Sequence, residues 1–330
     1  MHRDIDLRRI NLRVTDPYKQ EGLVSTIPVE ITLVDVLNTY SFERWPHEKV
    51  RCVKCNGHRH KHGFTALLSN GAKALFGSKC GEEEFGENWA QATARLREQS
   101  RRQNFLLQLD ILVPHLPKIR QGLKGWRPAC DSIEYSHKRF KNNLGYVYEA
   151  LCQLVARGET QLKIYEKKTI QKTKRGSGES RFVTEWIPQT ISILQGGAYF
   201  KNITPTEILD KADAILKQIE IIAGDTSRFD TNHMSILNKQ LNNVYRELRQ
   251  IVDMRKGAIL FFAPDHLKLV AYWATRTDSN YIPGRYKAQA NELHNLDTGK
   301  SMALPPSFAP IDENILLILQ SPEKMNFAAA

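Results

Sequence analysis

Residues 52–89 read CVKCNGHRHKHGFTALLSNGAKALFGSKCGEEEFGENW, and they include three of the five cysteines and three of the ten histidines of the chain. Cys52 and Cys55 form a Cys-x-x-Cys turn, which is a compact way to place two thiolates on one metal ion. Structural zinc is held in a tetrahedron by thiolates and imidazoles. The stretch therefore predicts a zinc site that uses Cys52, Cys55 and a third cysteine, Cys80.

A hairpin and a helix follow the cysteine pair. Two short apolar segments are joined by Asn70-Gly71, a dipeptide that favours a tight turn between strands. Cys80 then stands just before a helix that is rich in acidic residues in its first turn. A cysteine turn, a hairpin and a ligand at a helix start occur in this order in treble-clef zinc modules. We therefore predict a treble-clef-like zinc module.

The same region resembles a small zinc-binding module found at the front of uncharacterised bacterial proteins. The resemblance rests on Cys52-x-x-Cys55, a histidine followed by Gly63-Phe64, Asn70-Gly71, Gly77-x-x-Cys80-Gly81 and Phe85-Gly86. It is confined to about residues 50–90, and it implies a zinc site and a bacterial or phage setting. The rest of the chain carries no such resemblance.

The fourth zinc ligand has to come from outside the helix start. The commonest treble clefs have a second cysteine pair there, whereas Cys80 is alone. The nearest nitrogen donors are His58, His60 and His62, which share one face if the segment is extended. His60 has the His-x-x-Gly spacing of the resembled module before Gly63, and His58 is the substitute. The predicted zinc ligands are Cys52, Cys55, His60 and Cys80.

The zinc is expected to fix geometry and not to perform chemistry. A catalytic zinc keeps an open position and needs a general acid or base nearby. Glu82, Glu83 and Glu84 are available, but glutamates at a helix start commonly serve the helix dipole. Arg59 and Lys61 alternate with the histidines and are predicted to form a basic rim that contacts nucleic acid.

Length and composition limit the class of protein. The 330 residues are 41% hydrophobic and 25% charged, as in globular proteins with a substantial core, and the length favours two or more domains. No apolar run is long enough to cross a bilayer, and the start MHRDIDLRRI lacks the apolar centre of a secretory signal. Five cysteines do not suggest a disulfide framework. We expect a cytoplasmic protein without a membrane partner.

The patterning along the chain predicts an α+β fold that is predominantly helical. Residues 1–90 contain the zinc module, residues 91–200 a basic helical region and a long β-hairpin, and residues 201–330 a helical hairpin and an irregular C-terminal region. A short helix is expected near Val34 to Tyr40. The helix after the zinc module should stop at Pro114 and Pro117, and a second should follow with Tyr146 on its apolar face.

Two β-rich segments predict the long hairpin. QLKIYEKKTIQKT (161–173) and SRFVTEWIPQTISIL (180–194) flank the glycine-containing KRGSGE (174–179). Tyr165, Phe182 and Trp186 are interleaved with basic residues along these segments. They can stack on nucleic-acid bases or pack on the protein core, and the sequence alone favours core packing.

The C-terminal third predicts a pair of helices. Thr204-Pro205-Thr206-Glu207 is typical of a helix start, and it opens an amphipathic helix to about Ala223. A second helix should run from about Asn232 to Arg255 and be closed by Gly257. The two helices are expected to pair antiparallel. The chain from Thr277 is expected to be irregular, apart from a strand or helix near 314–319.

The formal net charge of +11 favours a polyanionic partner. Residues 91–143 contain eleven Lys or Arg against four acidic residues, and the predicted hairpin tip is also basic. We expect nucleic acid, DNA or RNA, to be bound through its phosphates. The predicted contacts on the helix and the hairpin are Arg95, Arg101, Arg102, Lys167, Lys168, Lys172, Lys174 and Arg175.

Two other functions stay open at this point. The helices of residues 205–255 would dock on a protein partner if the chain is an interaction or scaffold subunit of a larger complex. Glu166-Lys167-Lys168 has the Glu-x-Lys form of a metal-dependent nuclease, which would need Glu149 or Glu159 as a further Mg²⁺ ligand. The NTPase, zinc-protease and nucleophile-elbow motifs are absent from the sequence. An enzyme is the weaker expectation.

Overall fold

A computed structural model describes residues 2–27, 30–41, 51–56, 62–173, 180–276, 282–304 and 309–327. The fold is mixed α/β and predominantly helical, as predicted. Two compact units divide the chain: the first contains the described parts of Met1–Pro114 and Gln218–Lys239, and the second contains those of His115–Lys217 and Gln240–Phe327. The three-part division from the sequence stays a prediction. Among the described residues, no helix is long and apolar enough to span a membrane.

A four-stranded sheet organises the first unit. Its strands are β1 (Arg13–Val14), β2 (Leu33–Ser41), β3 (His62–Leu68) and β4 (Lys73–Phe76), in this spatial order. β1 pairs parallel with β2, and the other neighbours are antiparallel. Helix α1 (His2–Arg9) precedes the sheet and α2 (Ser78–Leu112) follows it. The β3–β4 hairpin turns at Asn70-Gly71, where Gly71 has a φ of 82°.

The helix expected near Val34 to Tyr40 is wrong, because these residues belong to β2. Val36, Asn38 and Tyr40 are buried and alternate with more exposed residues, which is the two-residue period of a strand. The segment is too short for the helical period of 3.6 residues to be distinguished from this alternation by sequence. Pairing with β3 decides the conformation.

Helices α2 and α3 (Leu116–Ala156) are separated by a short 3-10 turn at Val113–His115. This break lies at the two prolines expected to stop the helix. α2 is kinked at Gly86, and α3 departs from helical geometry at Leu144, where φ is −133° and ψ is 47°. The second departure explains why Tyr146 is exposed and Val147 buried, contrary to the predicted apolar face.

A long two-stranded ribbon follows α3. Strands β5 (Gln161–Thr173) and β6 (Ser180–Ile193) pair antiparallel with each other in a sheet of two strands. Leu162 and Ile164, at the base of the ribbon, are buried, and this end contacts helix α6 (Pro264–Thr275). Beyond Ile164 no described residue of either strand is buried. We call this part of the molecule the hairpin arm.

Helices α4 (Pro205–Gly224) and α5 (Thr231–Phe261) run antiparallel. The Lys211 ammonium donates to the Glu247 carboxylate at 2.7 Å, and these residues lie at similar distances along the chain from the connection between the helices. α5 does not end at Gly257 as expected. Gly257 lies against backbone, because a Cβ there would stand 2.8 Å from Tyr199 N and 3.0 Å from Gly196 O. Its role is close packing and not helix termination.

The C-terminal region is more regular than expected. β7 (Tyr286–Gln289), β8 (Glu292–Asn295) and β9 (Ser301–Ala303) form an antiparallel sheet, and α7 (Asn314–Phe327) follows. Strands of three or four residues are too short for an alternating pattern to be recognised. The expectation of an irregular chain is therefore wrong for these strands, whereas the element expected near 314–319 is present as the start of α7.

Replacing the helical glycine Gly257 by alanine should destabilise the protein by about 1–3 kcal/mol, because the added methyl group meets fixed backbone. Gly125→Ala in α3 is the matched control, since nothing lies within 4 Å of a Cβ at that position. The control should stabilise the protein by about 0.5–1 kcal/mol. Urea unfolding of the two variants measures both free energies, and equal effects would contradict the packing role of Gly257.

His137 is a histidine of the second unit that makes the stability of the protein depend on pH. Its ring lies 4.3 Å from the Tyr199 ring, centroid to centroid, and its Nδ1 is hydrogen-bonded to the Tyr148 hydroxyl at 3.0 Å. Burial lowers the pKa of His137 to about 4 from its ordinary value of 6.5. Between these two values the unfolded chain binds a proton that the folded chain does not. Acidification through this window therefore removes stability.

The free energy of unfolding should fall by about 2 kcal/mol between pH 7 and pH 5 through His137 alone. The fall should be smaller by this amount in His137→Phe, which cannot titrate. His115→Gln, which removes an exposed histidine, serves as the control and should follow the wild type. Urea unfolding at both pH values measures the differences, and parallel curves for wild type and His137→Phe would refute the assignment.

Candidate functional site

Three cysteine side chains converge in the first unit. Cys52 and Cys55 lie in the turn that precedes β3, and Cys80 is the third residue of α2. Their sulfur atoms all lie within 4.8 Å of one another. In the part of the chain that the structure describes, this is the sole group of three or more His, Cys, Asp or Glu side chains placed to hold a metal ion.

Backbone hydrogen bonds hold the turn against the sheet. Val53 N donates to Leu75 O at 3.0 Å, which attaches the turn to β4. Asn56 N donates to Cys52 O at 2.9 Å and closes the turn itself. β4 ends at Phe76, so the chain enters α2 directly beside the turn. The geometry therefore brings residues 52 and 80 together through local elements only.

A cluster of aromatic rings supports the start of α2. A Cβ on Gly81 would stand 2.2 Å from the Trp89 ring, so the glycine is required for this contact. Trp89 also packs on Phe64, Phe76 and Phe85, with ring centroids 5.5, 5.6 and 6.2 Å away. This packing fixes the orientation of the helix start and with it the position of the neighbouring Cys80.

Glutamates in the second turn of α2 bind a lysine of the cysteine turn. The expected acidic first turn after Cys80 is wrong, because α2 already begins at Ser78. Lys54 Nζ lies 3.5 Å from a carboxylate oxygen of Glu83 and 3.2 Å from one of Glu84. These ion pairs connect the turn to the helix. Glu83 and Glu84 are two of the three glutamates that could have served a catalytic zinc as general acid or base, and both are engaged in these ion pairs.

The cysteine sulfurs are electrostatically suited to a cation. Burial and the neighbouring sulfurs of Cys55 and Cys52 raise the pKa of the Cys80 thiol to about 12. Three close thiols resist ionisation without a positive charge among them, whereas a divalent cation favours the thiolates. Two thiolates on one tetrahedral zinc ion lie roughly 3.8 Å apart, given Zn–S bonds of ~2.3 Å. The observed separation limit of 4.8 Å is compatible with such an ion.

The histidines of the stretch are only partly described. His62 Nδ1 is hydrogen-bonded to Ser41 Oγ at 2.8 Å, and His62 is not a member of the cysteine group. His58 and the predicted fourth ligand, His60, lie outside the described residues, as do Arg59 and Lys61 of the predicted basic rim. His60 as zinc ligand therefore stays a prediction.

The three arginines predicted on α2 have different surroundings. Arg101 is exposed, and Arg95 is half exposed with its guanidinium 3.2 Å from an Asp35 oxygen. Arg102 donates to both Asp4 oxygens at 2.6 and 2.8 Å, and also to the carbonyls of Phe229 and Thr226.

These contacts use most of the Arg102 donors. Its guanidinium also keeps the pKa of the Asp4 carboxyl below its usual value. A phosphate would have to break this network before it reached the side chain. Arg102 therefore joins elements within the first unit, and its contact with nucleic acid stays a prediction.

One face of the hairpin arm carries paired charges. Because side chains alternate across a strand, Glu166, Lys168 and Lys172 share a face of β5. Lys168 lies 3.6 Å from Glu166, and Lys172 pairs with Glu185 of β6. This face also carries Ile170, Val183 and Ile187, which are half-buried. We call it the paired-charge face.

The opposite face carries exposed rings. Phe182 is 75% exposed, Trp186 51% and Tyr165 39%. The expectation that these three rings pack on the core is therefore wrong. Lys167 is exposed on the same face, directly across from Trp186. The remaining predicted hairpin contacts, Lys174 and Arg175, lie outside the described residues.

The acids named for a nuclease centre are not gathered into a metal site. Glu166 is on the paired-charge face, and no group of three metal-ligating side chains contains it among the described residues. Glu149 lines an open cavity of about 340 Å³ beside the irregular turn of α3, together with Lys141 and Lys300. The described geometry gives a Glu-x-Lys nuclease no support.

Comparisons of the chain with protein-family models, with curated proteins and with solved structures give no match. Function therefore has to be inferred from the cysteine cluster and the hairpin arm. The exposed rings of the arm are the feature that sequence reasoning assigned incorrectly. The sequence showed only that Phe182 and Trp186, four residues apart in a strand, share a face, and gave no signal that this face is exposed.

Proposed function

We propose that the chain is a nucleic-acid-binding protein that contacts phosphates mainly through the hairpin arm. The observation that carries the proposal is that this arm is basic and has no buried described residue beyond Ile164. The described strands contain five Lys or Arg and two acids, and the tip sequence KRGSGE adds two more basic residues and one acid. A two-stranded ribbon is marginally stable alone, so its length is better explained by a ligand than by the fold.

The nature of the positive charge supports phosphate binding. Lysines and arginines on an exposed ribbon can follow a groove or a strand and release counterions when they neutralise phosphates. Lys167, Lys168 and Lys172 are all exposed. On α2, Arg101 and Arg95 remain as secondary candidates. These contacts carry no base specificity by themselves.

A charge-reversal experiment tests the phosphate contacts. Lys167, Lys168 and Lys172 are changed together to glutamate, and binding to labelled single- and double-stranded DNA and RNA is followed by fluorescence anisotropy over a range of salt. The hairpin variant should bind at least about tenfold more weakly. The slope of log K against log salt should fall in magnitude by about 0.7–0.9 for each of these lysines that contacts a phosphate.

The matched control changes Lys201, Lys239 and Lys287 to glutamate. These lysines are exposed, lie outside the arm and give the same change in net charge. The control should keep most of the affinity and the salt slope. Equal losses in both variants would mean that only net charge matters, and absence of wild-type binding at low salt would refute the proposed function.

We further infer that zinc occupies a structural, treble-clef-like site in the first unit. The cysteine turn, the β3–β4 hairpin and Cys80 near the start of α2 occur in the order of such modules, and three sulfurs lie within 4.8 Å. Thiolate ligands favour zinc over hard cations such as Mg²⁺. Cys52, Cys55 and Cys80 would hold the ion, with His60 as the proposed fourth ligand.

The metal content of purified protein tests this inference. Mass spectrometry of the metal should find about one zinc ion per chain in the wild type and a large loss in Cys80→Ala. Cys130→Ala is the control, because it removes a buried thiol that is far in sequence from the cluster and is not part of it. Equal zinc in both variants, or a folded wild type without metal, would contradict a Cys52–Cys55–Cys80 site.

A protein-interaction function is the second candidate, and one observation favours it. Ile221 of α4 and Ile236 of α5 are 65% and 49% exposed, near the connection between these helices. Single exposed apolar residues are common on protein surfaces, so this signal is weaker than the three rings of the arm. The charge-reversal experiment separates the two, because a protein contact at Ile221 and Ile236 does not depend on the hairpin lysines.

A further inference from the structure

The exposed rings of the hairpin arm lie on one surface. The aromatic face consists of the side chains that alternate with the paired-charge face: Tyr165, Lys167, Thr169 and Gln171 of β5, and Phe182, Thr184, Trp186 and Pro188 of β6. All eight are exposed. Exposed ring surface of this extent on a basic arm is typical of a binding site and not of a solvated strand.

The register fixes how the rings are spaced. Tyr165 lies across from Pro188, Lys167 across from Trp186, and Gln171 across from Phe182. With a rise of about 3.4 Å per residue, Phe182 and Trp186 are on the order of 14 Å apart along the strand. Tyr165 lies about 7 Å further towards the base of the arm. The three rings therefore form a line of roughly 20 Å rather than a compact apolar patch.

Charge identifies the ligand class. Lys167 stands among the rings and has no ion-pair partner among the described residues. Both acids of the described strands, Glu166 and Glu185, are on the opposite face, where they pair with Lys168 and Lys172. The aromatic face is thus cationic and carries hydroxyl and amide groups between its rings. Protein interfaces, in contrast, are depleted in lysine at their centres.

Rings separated by cations and polar groups match a strand of nucleic acid with unpaired bases. Aromatic side chains stack on bases irrespective of sequence, and nearby lysines follow the backbone. In a duplex the base faces are already stacked on each other, so protruding rings would have no flat surface to cover. The ligand must therefore offer unstacked bases.

We propose that the aromatic face binds single-stranded nucleic acid, with Tyr165, Trp186 and Phe182 each stacking on a base and Lys167 contacting the phosphates between them. This inference rests on the proposed function and adds the class of polymer and the mode of recognition. DNA and RNA share the stacking chemistry, and the two polymers are separate arms of the test.

The test compares three labelled 20-nucleotide probes: oligo-dT, oligo-rU and an abasic strand that keeps the phosphates without the bases. The wild type should bind at least one of the first two about tenfold or more tightly than the abasic strand. Phe182→Ala with Trp186→Ala should lower affinity for that probe at least about tenfold per ring. Affinity of this double variant for the abasic strand and its salt slope should stay unchanged. Placing Phe instead of Ala at position 186 should restore part of the lost affinity.

The matched control carries Val183→Ala and Ile187→Ala. These residues directly follow Phe182 and Trp186 in the strand but lie on the paired-charge face. It should keep the preference for oligomers with bases, and circular dichroism should show that all variants fold. Equal wild-type affinity for the abasic strand and the base-containing probes would overturn the stacking inference and leave phosphate binding intact. Failure of the wild type to bind any probe or duplex would instead refute the proposed function.

Two further outcomes would also overturn the inference. If the ring variant loses affinity for the abasic strand as much as for oligo-dT and oligo-rU, the rings support the arm and do not stack on bases. If sedimentation shows a wild-type dimer that the ring variant lacks, the aromatic face is occupied by a second copy of the chain.

Discussion

The contact between Gly81 and Trp89 is the constraint on which the cysteine cluster depends. The Trp89 ring fills the space that a side chain at position 81 would occupy, and three phenylalanine rings surround it. The start of α2 is thereby fixed on the β3–β4 hairpin. Cys80 precedes the glycine, so this packing also places its sulfur within 4.8 Å of those of Cys52 and Cys55.

The hairpin arm is held together differently from the cysteine cluster. Its free part is held by pairing between two strands and not by packing in a core. The alternation of side chains separates its residues into the paired-charge face and the aromatic face. Acids and half-buried aliphatic residues share one face, which supplies the arm with cohesion of its own. The other face keeps its rings and Lys167 available. One ribbon can therefore use one face for contacts within the arm and present the other as a binding surface.

Much of the fold was predictable because its signals are local and long. The breaks at Pro114 and Pro117 and the long helices of the C-terminal third follow from proline chemistry and a repeated apolar period. The prediction failed where elements are short, as in β7, β8 and β9, or where pairing with a neighbour overrides a weak pattern, as in β2. The prediction for Gly257 failed for a different reason: the sequence does not distinguish a glycine required for close packing from one that ends a helix.

The candidate sites divide in the same way. The sequence by itself singled out the three cysteines of the cluster, since Cys-x-x-Cys and a further cysteine near a helix start form a pattern that depends on spacing alone. It also determined that the arm is basic. Only the tertiary structure decided that Arg102 is committed to Asp4 and two carbonyls, and that Phe182 and Trp186 face solvent. The physical reason is that burial and ion pairing depend on which segments meet in space, and residues 4 and 102, or a strand and the core it might have covered, are related by no pattern in the sequence.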